Sequence, residues 1–187
     1  MQLFSESLNG GAPGEAPGEQ IDGIGCTANV VMIDKEKEKI FISNAGDSRA
    51  VLCRGGQAIA LSYDHKPDNE EERKRIESAG SFVAEGRVDG NLNLSRSLGD
   101  LKYKRRKHLD PQSQSITAWP DVKEIDLELE KDEFIIMGCD GIWETKSNDE
   151  MVEFVTEKIN KYKKDGKVDT NAIVSEMLNE IISPDYT

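Results

Sequence analysis

The chain has 187 residues, 36% of them apolar and 32% charged, with a formal net charge of -12 at pH 7. That is enough chain for one domain with a real core, or for most of a larger one. An acidic balance this strong argues against nucleic acid or an anionic membrane as the main partner, since both need a basic face, and makes a cation the more natural ligand.

Taken in order, residues 1–24 are rich in glycine, proline and acids with few large apolar side chains, and read as a flexible leader or inserted loop. The folded domain is expected over residues 25–187. Residues 27–33 and 40–45 read as two strands joined by the charged turn 34–39, a hairpin. Gly46 and Asp47 interrupt the pattern. Residues 49–53 and 57–61 resume it around the Arg54-Gly55-Gly56 turn, so the sheet is antiparallel. A surface helix is expected over residues 69–79, capped by Asp68 with Glu71, ended by Gly80, and offering the core only Ile76 and Ala79. Residues 82–88 read as a strand, 91–100 as a loop or short helix, and 102–107 (KYKRRK) as a basic run inside an acidic chain. One or two strands broken at Pro120 follow over residues 116–129.

Residues 133–144, EFIIMGCDGIWE, organise the rest. The apolar run from Phe134 to Met137 predicts a strand buried on both faces. It ends at Asp140, and a carboxylate there is usually paired, hydrogen-bonded or holding a cation; the local pattern fits a plain strand-end turn or cap equally well. Gly141 is expected to allow a sharp turn or a close approach, and Glu144 adds a second acid beside Trp143. Ser147 and Glu150 form a capping box for a helix to about residue 163, with Met151, Val152, Val155, Ile159 and Tyr162 on one stripe. A second helix from about Thr170 carries Ile173, Val174, Met177, Leu178, Ile181 and Ile182 and ends at Pro184. Both stripes are expected to pack on a sheet. Strands followed by helices predict an α+β layered domain.

Three cysteines, Cys26, Cys53 and Cys139, form an odd set with no C-x-x-C pair, and read as reduced core residues of a cytosolic or nuclear protein. No apolar run approaches a membrane span, and the first residues carry no basic-then-apolar signal.

Six segments occur together: GCTANVV (25–31), NAGDSRAVL (44–52), DHKPDNEEERKRI (64–76), RVDGNLNLSRSLGD (87–100), WPDV (119–122) and EFIIMGCDGIWE (133–144). In content and order they resemble the metal-dependent serine/threonine protein phosphatases of type 2C, the PPM family, over about residues 25–183. The resemblance implies an antiparallel β-sandwich flanked by helices, hydrolysis of phosphoserine and phosphothreonine in proteins, and Mg2+ or Mn2+ as cofactor. Hard divalent ions take oxygen ligands, and two of them can lower the pKa of a bridging water. By the same resemblance Asp140 is a metal ligand, Asp47 and Glu144 help hold a weaker ion, and Glu144 stands where aspartate is usual. Arg96 is placed either on a phosphopeptide or on Asp100.

The family's early D-G-H-G-G motif is not in the chain and its late D-N motif would fall shortly after Tyr186, so two further metal acids and a catalytic histidine are not supplied. Asp22-Gly23-Ile24-Gly25 lacks the histidine. The expected domain is therefore incomplete at both ends, and the chain alone is expected to be inactive or nearly so, as a monomer, with no catalytic residue assigned. The competing expectation is a non-catalytic binding domain on the same scaffold. His65 is expected to brace a turn, His108 and the 102–107 run to be solvated, and Arg49 to brace Asp47 or a neighbouring acid.

Overall fold

The computed structural model describes residues 22–182. Of the leader expected at residues 1–24, all but the last three fall outside them. The chain divides into two compact units. Of the described residues, the first gathers 22–28 with Asn44–Asp47 and Asp64–Asp121, and the second gathers Asn29–Ser43, Ser48–Tyr63 and 122–182.

The second unit is layered around β4 (Arg49–Arg54). Residues 50–53 are each at 0 or 1% exposure, and side chains alternate along a strand. Val51 and Cys53 therefore face one way, into a core with Ile136, Trp143, Met151, Val152, Val155, Ile173 and Met177. Ala50 and Leu52 face the other way, into a core with Ile40, Ile42 and Leu61. β4 is central in a sheet of order β10-β4-β5, with β5 (Gln57–Ala60) and β10 (Asp132–Gly138) both antiparallel to it. On the Ala50/Leu52 face lies a second sheet of order β2-β3-β9, formed by β2 (Ala28–Asp34), β3 (Lys39–Ala45) and β9 (Asp121–Asp126). The opposite face carries α3 (Asn148–Tyr162) and α4 (Thr170–Ile181). The expected sandwich with helices outside is thus present, and β4 is the strand buried on both faces.

β10 is not that strand. It pairs with β4 along one edge, only Ile136 of its apolar run is buried, and Met137 is 44% exposed. The run is apolar because one face meets the helices and the other meets the facing sheet at Ile135. The capping box forms as expected: the Ser147 amide donates to Glu150 Oε2 at 2.8 Å and the Glu150 amide to Ser147 Oγ at 3.3 Å. The first hydrogen bond holds the Glu150 carboxyl below its ordinary value. Asp169 caps α4 through the Ala172 amide, but Val174, Leu178 and Ile182 are exposed, so half of the expected six-residue stripe is not buried against the sheet. Between the helices, β11 (Lys163–Lys164) and β12 (Lys167–Val168) form a small hairpin.

The first unit has little regular structure. It contains α1 (Glu70–Ser78), the two-residue strands β1 (Gly25–Cys26), β6 (Val83–Ala84), β7 (Arg87–Val88) and β8 (Leu98–Gly99), and two short 3-10 turns. The strand expected over residues 82–88 is the tight β6–β7 hairpin. Its core is Ile76, Val88, Tyr103 and Ile116. The cap of α1 is Asn69 rather than Asp68, and its side chain makes no capping bond; Asp68 pairs with Arg73 instead. All three cysteines are free, but only Cys53 is a core residue, while Cys26 and Cys139 are exposed.

Candidate metal and phosphate site

Asp47 lies in the first unit, in the turn that follows β3. Gly46 sets that turn, with φ at +121°. Its amide donates to His65 Nδ1 at 3.1 Å, and its carbonyl accepts from the His65 amide at 3.0 Å and from Asn44 Nδ2 at 3.1 Å. Because Nδ1 accepts, the proton of a neutral His65 sits on Nε2 and is donated to Asp121 Oδ2 at 3.0 Å. His65 is therefore the turn brace expected from the sequence. Asp47 itself is 4% exposed. A carboxylate so buried needs a partner, and Lys66 Nζ supplies it at 2.5 Å.

A methyl group at Gly46 would meet Thr27 Cγ2 at 2.4 Å and the Arg96 carbonyl at 3.1 Å. Gly46→Ala is expected to cost about 1–3 kcal/mol, from a positive φ and a clash together. A melting curve superimposable on that of the parent chain would show that the turn is not held this way.

Arg96 is committed to protein partners. It donates from Nε and Nη2 to Glu72 Oε1, at 3.0 and 2.6 Å, and from Nη1 to Asp121 Oδ1 at 2.6 Å and to the Trp119 carbonyl at 3.2 Å. The alternative partner expected for it, Asp100, instead accepts from Ser97 Oγ at 2.6 Å. With most of its donors spent, Arg96 acts as a bracket between α1 and the start of β9. At its centre is Glu72, 3% exposed, which also accepts from Arg75 at 2.7 Å and Ser95 Oγ at 2.5 Å. Burial alone would raise the Glu72 carboxyl, but hydrogen bonds from Arg96 and Ser95 and the charge of Arg75 outweigh it and hold the group at about 2. Asp121 is lowered in the same manner, burial being outweighed by His65 and Arg96. Sequence reasoning passed over Glu72, although it shares a helical face with Ile76 and Ala79, at i, i+4 and i+7; an acid on the one apolar stripe of a helix was the signal available.

Asp140 and Glu144 lie in the second unit. Asp140 opens α2 (Asp140–Trp143), directly after β10, and its Oδ1 accepts from the Gly141 amide at 2.9 Å. Glu144 is exposed and closes the turn through its amide on the Asp140 carbonyl at 2.8 Å. One turn apart, the two carboxylates share a helix face. Trp143 anchors the turn by donating Nε1–H to the Gly138 carbonyl at 2.9 Å. Arg49 stacks over that ring at 5.2 Å and donates to Asn148 at 2.8 Å. The close approach expected at Gly141 is found at Gly138, where a methyl group would meet Ile142 Cδ1 at 2.6 Å.

As a donor set for a divalent cation these acids are incomplete. Among the described residues no group of three or more His, Cys, Asp or Glu is placed to hold a metal ion, Asp47 is neutralised by Lys66, and Asp140 with Glu144 provides one turn of a helix. A dinuclear Mg2+ or Mn2+ centre does not fit these residues alone.

The fold and the acid-bearing turns are those of a phosphatase scaffold. A family profile described as "Protein phosphatase 2C" matches residues 12–186. "Protein phosphatase 2C 1" of Paramecium tetraurelia is 48% identical over 161 residues, covering 86% of this chain and 52% of the relative. A crystal structure of a phosphatase from Toxoplasma gondii superimposes with a TM-score of 0.66 at 31% identity, over 76% of this chain and 43% of the other. A Caenorhabditis elegans sex determining protein does so with a TM-score of 0.68 at 26% identity, over 82% and 36%. The chain belongs to the protein phosphatase 2C family. It spans about half the length of the curated relatives it matches.

Proposed function

We propose that the whole protein is a Mg2+- or Mn2+-dependent serine/threonine protein phosphatase, and that these 187 residues by themselves are inactive or nearly so. Family membership supports the activity. The observation that carries the second half is the incomplete donor set: Asp47, Asp140 and Glu144 are all present, yet no three-ligand cluster exists among the described residues. In this reading Asp47, Asp140 and Glu144 contribute to metal binding only with acids supplied by the rest of the domain, and Arg96 holds its loop rather than the substrate. Phosphoproteins are the substrates, and a cytosolic or nuclear location is supported by three free cysteines.

The test is hydrolysis of a phosphothreonine peptide with Mn2+ and with chelator, by this chain and by the whole protein. Chelator-sensitive turnover is expected from the whole protein, with the 187-residue chain slower by at least about 10²- to 10⁴-fold, the share of a general acid alone. Comparable turnover by the short chain would mean that other acids complete its site. Silence from both would favour the second reading, a binding domain on a phosphatase scaffold, to which the incomplete donor set also points.

A further inference from the structure

We propose that the basic loop around residues 104–107 lines a docking cleft for an anionic segment, phosphorylated or acidic, of another protein. The cleft lies within the first unit and holds about 550 Å³, inside the range of ligand-binding pockets. Lys104, Arg105, Arg106 and Lys107 line it, together with the apolar Leu109, Pro111 and Ala118.

The four cations are not equivalent. Arg105 is paired with Asp22. Lys104 donates to the Ser97 and Gly99 carbonyls, at 2.6 Å each, and has the Asp100 charge nearby. Arg106 spends one donor on the Gly80 carbonyl at 3.0 Å, and neither it nor Lys107 has a carboxylate partner among the described residues. Among the described residues a guanidinium and an ammonium on adjacent positions thus stand without a carboxylate partner, in a chain of net charge -12. Selective uptake of anions is the direct electrostatic consequence.

The loop is also held in shape without a ligand. Gln114, 6% exposed, accepts from the Arg106 amide at 3.2 Å and donates to the Arg106 and Leu109 carbonyls at 2.9 and 3.0 Å. Thr117 Oγ1 donates to the Pro111 carbonyl at 2.8 Å. A preorganised loop loses little entropy when an anion arrives. A peptide fits better than a polynucleotide or a bilayer. The basic surface is short and concave, the apolar lining residues suit an aliphatic side chain, and nucleic acids and membranes require an extended basic face. That the segment belongs to a phosphatase substrate rests on the function proposed above; that it binds here does not.

Fluorescence anisotropy on this chain, without metal or turnover, tests the site. The probes are a labelled phosphothreonine peptide, the same peptide with glutamates in place of the phosphate, and a neutral version. At least one anionic peptide is expected to bind more tightly than the neutral one, and the stronger of the two identifies the anion. Lys107→Glu together with Arg106→Gln should weaken binding about tenfold or more, the worth of a charge-assisted contact. Lys107→Glu alone, at an exposed position, gives the same direction should the double variant fail to fold, and Lys167→Glu in the second unit should change little. Three outcomes overturn the proposal: no preference for anionic peptides, affinity unmoved by Lys107→Glu, or tighter binding of an oligonucleotide or an anionic vesicle. Because no catalysis is measured, any of them leaves the phosphatase reading standing.

Discussion

Replacing Glu72 with glutamine is expected to destabilise the chain by about 3–5 kcal/mol, the usual cost of removing one partner from a buried ionic group. Glutamine keeps the shape of the side chain but removes the charge that two guanidinium groups share, those of Arg75 and Arg96. Both arginines are then left largely buried beside a neutral amide: Arg75 loses its carboxylate partner, and Arg96 keeps only Asp121 to offset its desolvation. For a chain of this length the melting temperature should fall by on the order of 10 °C. Glu71→Gln, one residue away but exposed, is the control and should stay within about 0.5 kcal/mol. The two variants should also differ in acid. The folded Glu72 carboxyl sits at about 2 against an ordinary 4.5, so its stabilising contribution is complete above pH 4.5 and disappears as pH falls towards 2. The acid limb of stability against pH should therefore be shallower in Glu72→Gln and unchanged in Glu71→Gln. Equal acid limbs would show that Glu72 is not held as an anion.

The second large effect is expected at Met151, fully buried on α3 among Val51, Cys53, Trp143 and Met177. Met151→Ala removes a long side chain from a core that cannot fully collapse around the gap, at a cost of about 2–5 kcal/mol. Val174→Ala on α4 makes the matching control. Val174 belongs to the corresponding apolar stripe of α4 in sequence but is 47% exposed, and alanine is the better helix former, so the change should stay within about 0.5 kcal/mol. Urea unfolding of the two variants measures this directly. Similar losses at both sites would mean that the exposed half of the α4 stripe is buried in solution.

These residues also mark where sequence reading succeeded and failed. Helix ends with their own signals were legible, because a cap is a local interaction: Ser147 with Glu150 reads the same in sequence and in space. The Asp68 cap failed for an equally local reason, since Arg73 competes for the carboxylate. The His65 brace was legible in kind, but its partners, Gly46 and Asp121, come from segments distant along the chain. Arg96 was expected either on a phosphopeptide or on nearby Asp100, whereas its charge is met by Glu72 and Asp121, from two other segments.

By itself the sequence determined the apolar run over residues 50–53 that makes β4 a strand, the helical periods of α3 and α4, and the acid-bearing turns that place the chain in its family, because each depends on neighbours within a few residues. Only the tertiary structure decided that β4 rather than β10 is buried on both faces, that Glu72 is an interior anion, and that Asp47 is neutralised by Lys66. Burial and ion pairing are set by which segments meet across the fold, and that information is spread over the chain rather than written at any one position.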